Sequence, residues 1–220
     1  MSKPVTTRRH WMAMTLAALT FTSAWSAQAA GVDDAVQELS QAWASIRYQA
    51  PAAEREKRFE DLATRAHSLS QAHAGKPETL IWEGIIVSSL AGEKGGLGAL
   101  PLVKQAKALY EQAIEIDGRA LDGSAYNSLG VLYYKVPGWP IGFGDKKKAR
   151  ELLDKALTIN PQGIDPNYFL GEFLLENDSA ANALPYLQKA LQAPARPGRA
   201  VADEGRREEV RQLIQKAKTS

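Results

Sequence analysis

The sequence predicts an all-α fold: a right-handed stack of about four helical hairpins closed by a C-terminal capping helix. Three observations predict it. Apolar residues recur at every third or fourth position along nearly the whole chain, the spacing of helices and not of strands. A phrase also repeats. Leu129-Gly130 is followed by Ala149, Leu153, Ala156-Leu157 and Pro161, and Leu170-Gly171 by Ala183, Leu187, Ala190-Leu191 and Pro194. A weaker copy has Gly84 followed by Ala106, Tyr110 and Ala113-Ile114. Units repeating at such a period bury their apolar faces by stacking on their neighbours. Finally, the chain has no cysteine, so helix packing must hold the fold without disulfides.

Residues 1–29 read as a secretory signal peptide. Arg8 and Arg9 precede an apolar run from Trp11 to Trp25, and Ala27-Gln28-Ala29 is a small-x-small cleavage site. The expected product is a single domain of residues 30–220 in a bacterial periplasm. Lys3, Arg8 and Arg9 leave with the signal, so 24 basic side chains remain against 25 acidic ones. Near-neutral charge removes the bulk electrostatic case for nucleic acid or an anionic membrane surface. The apolar run is too short and too rich in Ser and Thr for a span, and no integral membrane segment is expected in the mature chain.

The helices follow in order. Val36, Leu39, Trp43 and Ile46 give the first, and Phe59, Leu62, Ala66 and Leu69 the second. Pro77 stands at the N1 position of a third helix, through Leu80, Trp82, Ile85 and Ile86. Val103, Ala106, Leu109, Tyr110 and Ala113 mark a fourth. Ser124 is expected to cap a fifth and Asp145 a sixth, while Asp165-Pro166 opens a seventh. Leu184, Leu187 and Leu191 define an eighth. A last, highly charged helix around Val210, Leu213 and Ile214 reads as a polar cap on the stack. Small residues make the hairpins tight. Gly84, Gly130 and Gly171 let a first helix approach its partner, and Ala149, Ala156, Ala183 and Ala190 supply the flat facing surface.

These positions resemble the tetratricopeptide-repeat superfamily over roughly residues 77–194. Gly171 to Ala183 spans 12 residues, as in an uninterrupted hairpin of that pattern, whereas Gly130 to Ala149 spans 19 and Gly84 to Ala106 spans 22. Two turns are therefore enlarged, at Pro137–Gly144 and at Gly92–Pro101, and stacking should make them neighbours. A narrower likeness is to the T component of tripartite ATP-independent periplasmic (TRAP) transporter systems. It rests on the Gly-rich turn, the Gly-Asp before the Lys146–Leu157 helix and the secreted all-helical chain. That resemblance implies a helical protein working beside a solute-binding subunit. Some members of the family carry a lipid-modified cysteine, which this chain lacks.

The candidate binding residues lie in the two turns and on the inner helices. Trp139, Ile141 and Phe143 form either a lip that closes over a ligand or grips a partner, or a plug for the hairpin end. Leu97 is the counterpart in the longer, less aromatic turn, where it either joins such a lip or tucks in with Leu100. Tyr126, Tyr134 and Tyr168 lie on first helices, where a groove would use their area and hydroxyls; of Tyr133 and Tyr134, one packs and the other looks outward. Asp145 would occupy the free N–H groups of its helix, leaving Lys146–Lys148 as a solvated face rather than an anion site. Arg196 and Arg199, on a stiff Pro-Gly turn, either pair with Asp203 or Glu204 at the surface or clamp a carboxylate.

Catalysis finds no constellation. After the signal, His67 and His73 are the only histidines, six positions apart and a poor metal pair; there is no cysteine and no Gly-x-Ser-x-Gly elbow. No metal or cofactor and no enzymatic activity are expected. The expected function is a periplasmic binding or scaffold protein that recognises a protein partner through its concave face and the Trp139 loop. A homo-oligomer is compatible with this. The alternative is a carrier whose inserted loops close a pocket over a small, partly apolar ligand.

Overall fold

The computed structural model describes residues 21–219, with side chains from Gly31 onward. The expected signal peptide lies outside the described residues, apart from the helical backbone of its last positions. The helices are α1 (Phe21–Gln49), α2 (Ala52–Ala72), α3 (Pro77–Lys94), α4 (Ala99–Asp117), α5 (Ala120–Lys135), α6 (Lys146–Ile159), α7 (Ile164–Asn177), α8 (Ala180–Leu191) and α9 (Ala200–Thr219). A 3-10 turn, Gly96–Gly98, joins α3 to α4. No strand occurs among the described residues, and no helix there is long and apolar enough to cross a membrane.

Helix starts follow local chemistry with one correction. Pro77 begins α3. Asp145 caps α6, its Oδ1 accepting from the backbone N–H groups of Lys147 and Lys148 at 2.9 and 3.0 Å, and Ser179 caps α8 through Asn182. Ser124 does not cap α5. Leu121, Asp122 and Gly123 instead take left-handed backbone angles, with φ of 47°, 55° and 79°, and the Ser124 hydroxyl donates back to the Leu121 carbonyl at 2.7 Å. Asp165-Pro166 does open α7, which begins at Ile164, and the Asp165 carboxylate turns to two arginines.

The three repeated phrases are the three tightest hairpins, α3/α4, α5/α6 and α7/α8, with α1/α2 ahead of them. Ala149, Ala156, Ala183 and Ala190 are all fully buried. A Cβ on Gly84 would sit 2.5 Å from the Tyr110 ring, on Gly171 2.7 Å from Leu187, and on Gly130 3.0 Å from Leu153. Interiors packed this closely have no room for an added carbon, so these glycines set the distance between helices.

Helices α1, α3, α5 and α7 touch in succession and form an inner layer, with α2, α4, α6 and α8 outside. The terminal helix corrects the expectation of a polar cap. Helix α9 packs on α8 and α7, but also on α1. Gly205 is pressed against Tyr48, where an added Cβ would come within 2.3 Å of the ring, and Ala202 enters the core formed by Leu39, Trp43 and Trp82. The inner layer is thus a ring, α1–α3–α5–α7–α9, and the concave wall closes on itself. Two of the charges of α9 are internal, Asp203 and Arg206, while Glu204, Glu208, Arg211, Lys216 and Lys218 remain exposed.

Candidate functional site: a cavity inside the helical ring

Closing the ring leaves a cavity of about 1340 Å³, open to solvent at one side, to which every inner helix contributes. This explains a difference between the two layers. The outer helix α6 is amphipathic: Ala149, Leu152, Leu153 and Ala156 are buried and its lysines are exposed. The inner helices α3 and α7 are apolar on most of their surface, because one side meets the outer layer and the other lines the cavity. Isolated polar residues on those helices mark the lining. Ser88 and Ser89 come from α3, and Ser124, Asn127 and Ser128 from α5.

Aromatic rings form much of the wall. Trp43 and Trp82 meet edge to face at 6.1 Å, and the Trp43 indole donates to the Ser89 hydroxyl at 2.8 Å. Tyr110 reaches the same wall, hydrogen-bonded to Ser88 at 3.0 Å. Burial pushes its phenol well above the ordinary tyrosine range, against the opposing hydrogen bonds of Ser88 and Ser128. Tyr168 and Phe169 complete the α7 side.

The closing segment is held by a chain of ion pairs. Asp203 accepts from the backbone N–H and the Nε of Arg196, both at 2.7 Å. Arg196 reaches Asp165 at 2.6 Å, and Arg206 takes the other Asp165 oxygen at 2.9 Å. Arg206 continues to Glu209 at 2.6 Å, and Glu209 accepts from Arg47 at 2.8 Å. The chain runs from the Pro-Gly linker through α7 and α9 to α1. The Arg206 guanidinium also lies over the Tyr168 and Phe169 rings, at 4.3 and 4.6 Å. Burial alone would raise the Asp165 carboxyl. Arg196, Arg206 and Arg199 outweigh it and hold the group far below the usual carboxylate range. Burial pushes the neighbouring Tyr48 phenol up to about 12, against the opposing charge of Arg206.

The candidates read from sequence divide. Trp139 is 89 % exposed and does not line the cavity. Phe143 is the plug: it packs on Tyr133 at 5.4 Å, with the Lys107 ammonium 5.9 Å above its ring. Ile141 and Leu97, both exposed, stand at the cavity's edge, so the two enlarged turns share one rim. The Pro137–Gly144 turn is knotted by its own backbone. Gly144 donates to Pro137 at 2.9 Å and Asp145 to Tyr133 at 2.8 Å, and a Cβ on Gly144 would fall 2.0 Å from the Val136 carbonyl oxygen. Trp139 is carried on this tight base as a projecting side chain.

Of the tyrosines, Tyr168 lines the cavity. Tyr126 packs at the α4–α5 junction against Gly118. Neither Tyr133 nor Tyr134 looks outward. Tyr133 turns to Phe143, and Tyr134 packs on Phe173 and donates to Glu172, because a partner awaits on each side of α5. His67 lies against the buried Glu83, at 2.9 Å. Among the described residues no group of three or more potential ligands could hold a metal ion.

Trp43, Trp82, Asn127 and Arg206 are among the lining residues that sequence reasoning missed as site residues. The available signal was a serine or asparagine on an otherwise apolar helix. No protein-family model matches the chain, and no curated protein matches it.

Proposed function

We propose that this chain is an exported binding module that holds a small, partly apolar molecule inside its helical ring and performs no chemistry on it. The observation that carries this reading is the cavity itself, which is bordered by every inner helix and walled by aromatic rings with a few polar groups. Ligand sites are concave and mostly apolar, with sparse polar groups that fix orientation. The reading shifts weight from the Trp139 loop to the inner helices, since only Pro137 and Ile141 of that loop's apolar residues border the cavity. Native mass spectrometry of the protein purified from a periplasmic extract tests it. A bound small molecule released on denaturation is the expected result; an empty protein that no apolar ligand stabilises would count against it.

A second reading is favoured by one observation, the exposed Trp139 on its rigid base. A projecting indole beside the cavity rim suits docking of a protein partner. Together with the likeness to TRAP T components, this supports an accessory role beside a periplasmic solute-binding subunit. Genes for such a subunit and a membrane permease next to this one would support that role. Trp139→Ala should then weaken capture of the subunit while leaving the melting temperature unchanged.

A further inference from the structure

Among the described residues, the cavity wall carries one arginine with no ion pair and no side-chain hydrogen bond. Four arginines line it: Arg47, Arg196, Arg199 and Arg206. Three of them are ion-paired, with Asp165, Asp203 and Glu209 as the acids. Of the four, Arg199 alone has no carboxylate within ion-pair distance among the described residues. Its Nε is shielded from solvent and has no hydrogen-bond partner. Its guanidinium lies over the Trp82 ring, 5.0 Å from the centroid. Burial, and then the neighbouring Arg196, pull it below the ordinary arginine range, against the more distant opposing charges of Asp165 and Asp203.

A second group points the same way. Asn127 is 5 % exposed, lines the cavity from α5, and its Oδ1 has no partner. Folded proteins pair nearly all their buried polar groups, so one left open on a cavity wall is a place where a ligand can supply the missing half. Asp33, Glu93 and Asp122 also line the cavity, but none is among the charges acting on Arg199. They disfavour a second negative charge elsewhere on the same ligand.

We infer that the ligand is a small monocarboxylate with an apolar body. Its carboxylate sits on the free edge of Arg199, its body lies against Trp43 and Trp82, and Asn127 meets a further polar group on it. A planar guanidinium held over an indole matches a carboxylate in shape as well as charge. This rests on the cavity being a ligand site, and the test separates the two ideas.

Calorimetric titration of the full-length chain would use matched pairs: decanoate against decan-1-ol, and indole-3-acetate against indole-3-acetamide. The expected result is that at least one carboxylate binds about tenfold or more tightly than its neutral partner. Arg199→Gln should bring that carboxylate down to the neutral partner's affinity and leave the neutral compound unaffected. Arg199→Lys should retain part of the preference. Arg199 makes no side-chain hydrogen bond but stacks on Trp82 and acts on Asp165, so a melting scan of both variants separates a loss of stability from a loss of binding. Equal binding of acid and neutral partner overturns the carboxylate inference and leaves the cavity reading standing. A preference that survives Arg199→Gln overturns the assignment to Arg199. No binding of any of the four compounds overturns both the inference and the reading beneath it.

Discussion

The repeat hairpins and the closing segment are both helix-on-helix contacts, yet they are held by opposite chemistry. Within a hairpin the contact is dry and neutral, with Gly171 against Leu187 and Gly130 against Leu153. Where α9 meets α7 and α1, it is an alternating row of acids and arginines laid over aromatic rings. The difference teaches why a stack of four hairpins stops growing. A hairpin face of small residues accepts any similar neighbour. A charged face accepts only the partner whose charges match, because an unmatched buried charge is costly. Closure is therefore specific where stacking is generic.

The largest way to break this comparison is at the shared acid. Asp165→Ala would leave Arg196 and Arg206 without their common partner, and should destabilise by about 3 kcal/mol or more in urea unfolding. Hydrogen exchange should then rise first in α9. A loss below about 1 kcal/mol would make the closure an ordinary surface pairing. Acid should act at the same place. The Asp165 carboxyl is depressed in the folded state, so the stability it contributes is complete above about pH 5 and drains away as pH falls below about 4. Asp165→Asn should flatten that part of the pH profile.

The hairpins should respond to volume and ignore pH. Gly84→Ala and Gly171→Ala should each cost roughly 1–3 kcal/mol, with Gly130→Ala at the low end, because its nearest neighbour stands farther away. Exchange should rise in the affected hairpin and stay low in α9. A smaller, opposite effect is expected at the left-handed turn opening α5. Asp122→Gly should stabilise by up to about 1 kcal/mol, since glycine adopts that backbone without a side-chain clash. The smallest effect should be Trp139→Ala, within about 0.5 kcal/mol by thermal unfolding, because the indole touches little of the fold.

The candidate site was only partly legible, for reasons that particular residues show. Asp145 was readable as a cap because its partners lie two and three residues away. Phe143 and Trp139 were readable as a pair but not as opposites. Which one folds inward depends on Tyr133 and Lys107, residues ten or more positions distant. Ser124 misled because a left-handed turn at Leu121–Gly123 supplied the helix start in its place.

By itself the sequence determined the hairpins, their order and the two enlarged turns. Each depends on contacts between elements adjacent along the chain, and adjacency leaves a periodic trace of glycine, alanine and leucine. Only the tertiary structure decided that the stack closes. That step joins Arg47 to Glu209 across 162 positions. It arises from the small rotation each hairpin adds to the last, which no local pattern encodes. The cavity, its aromatic wall and the solitary Arg199 follow from that closure.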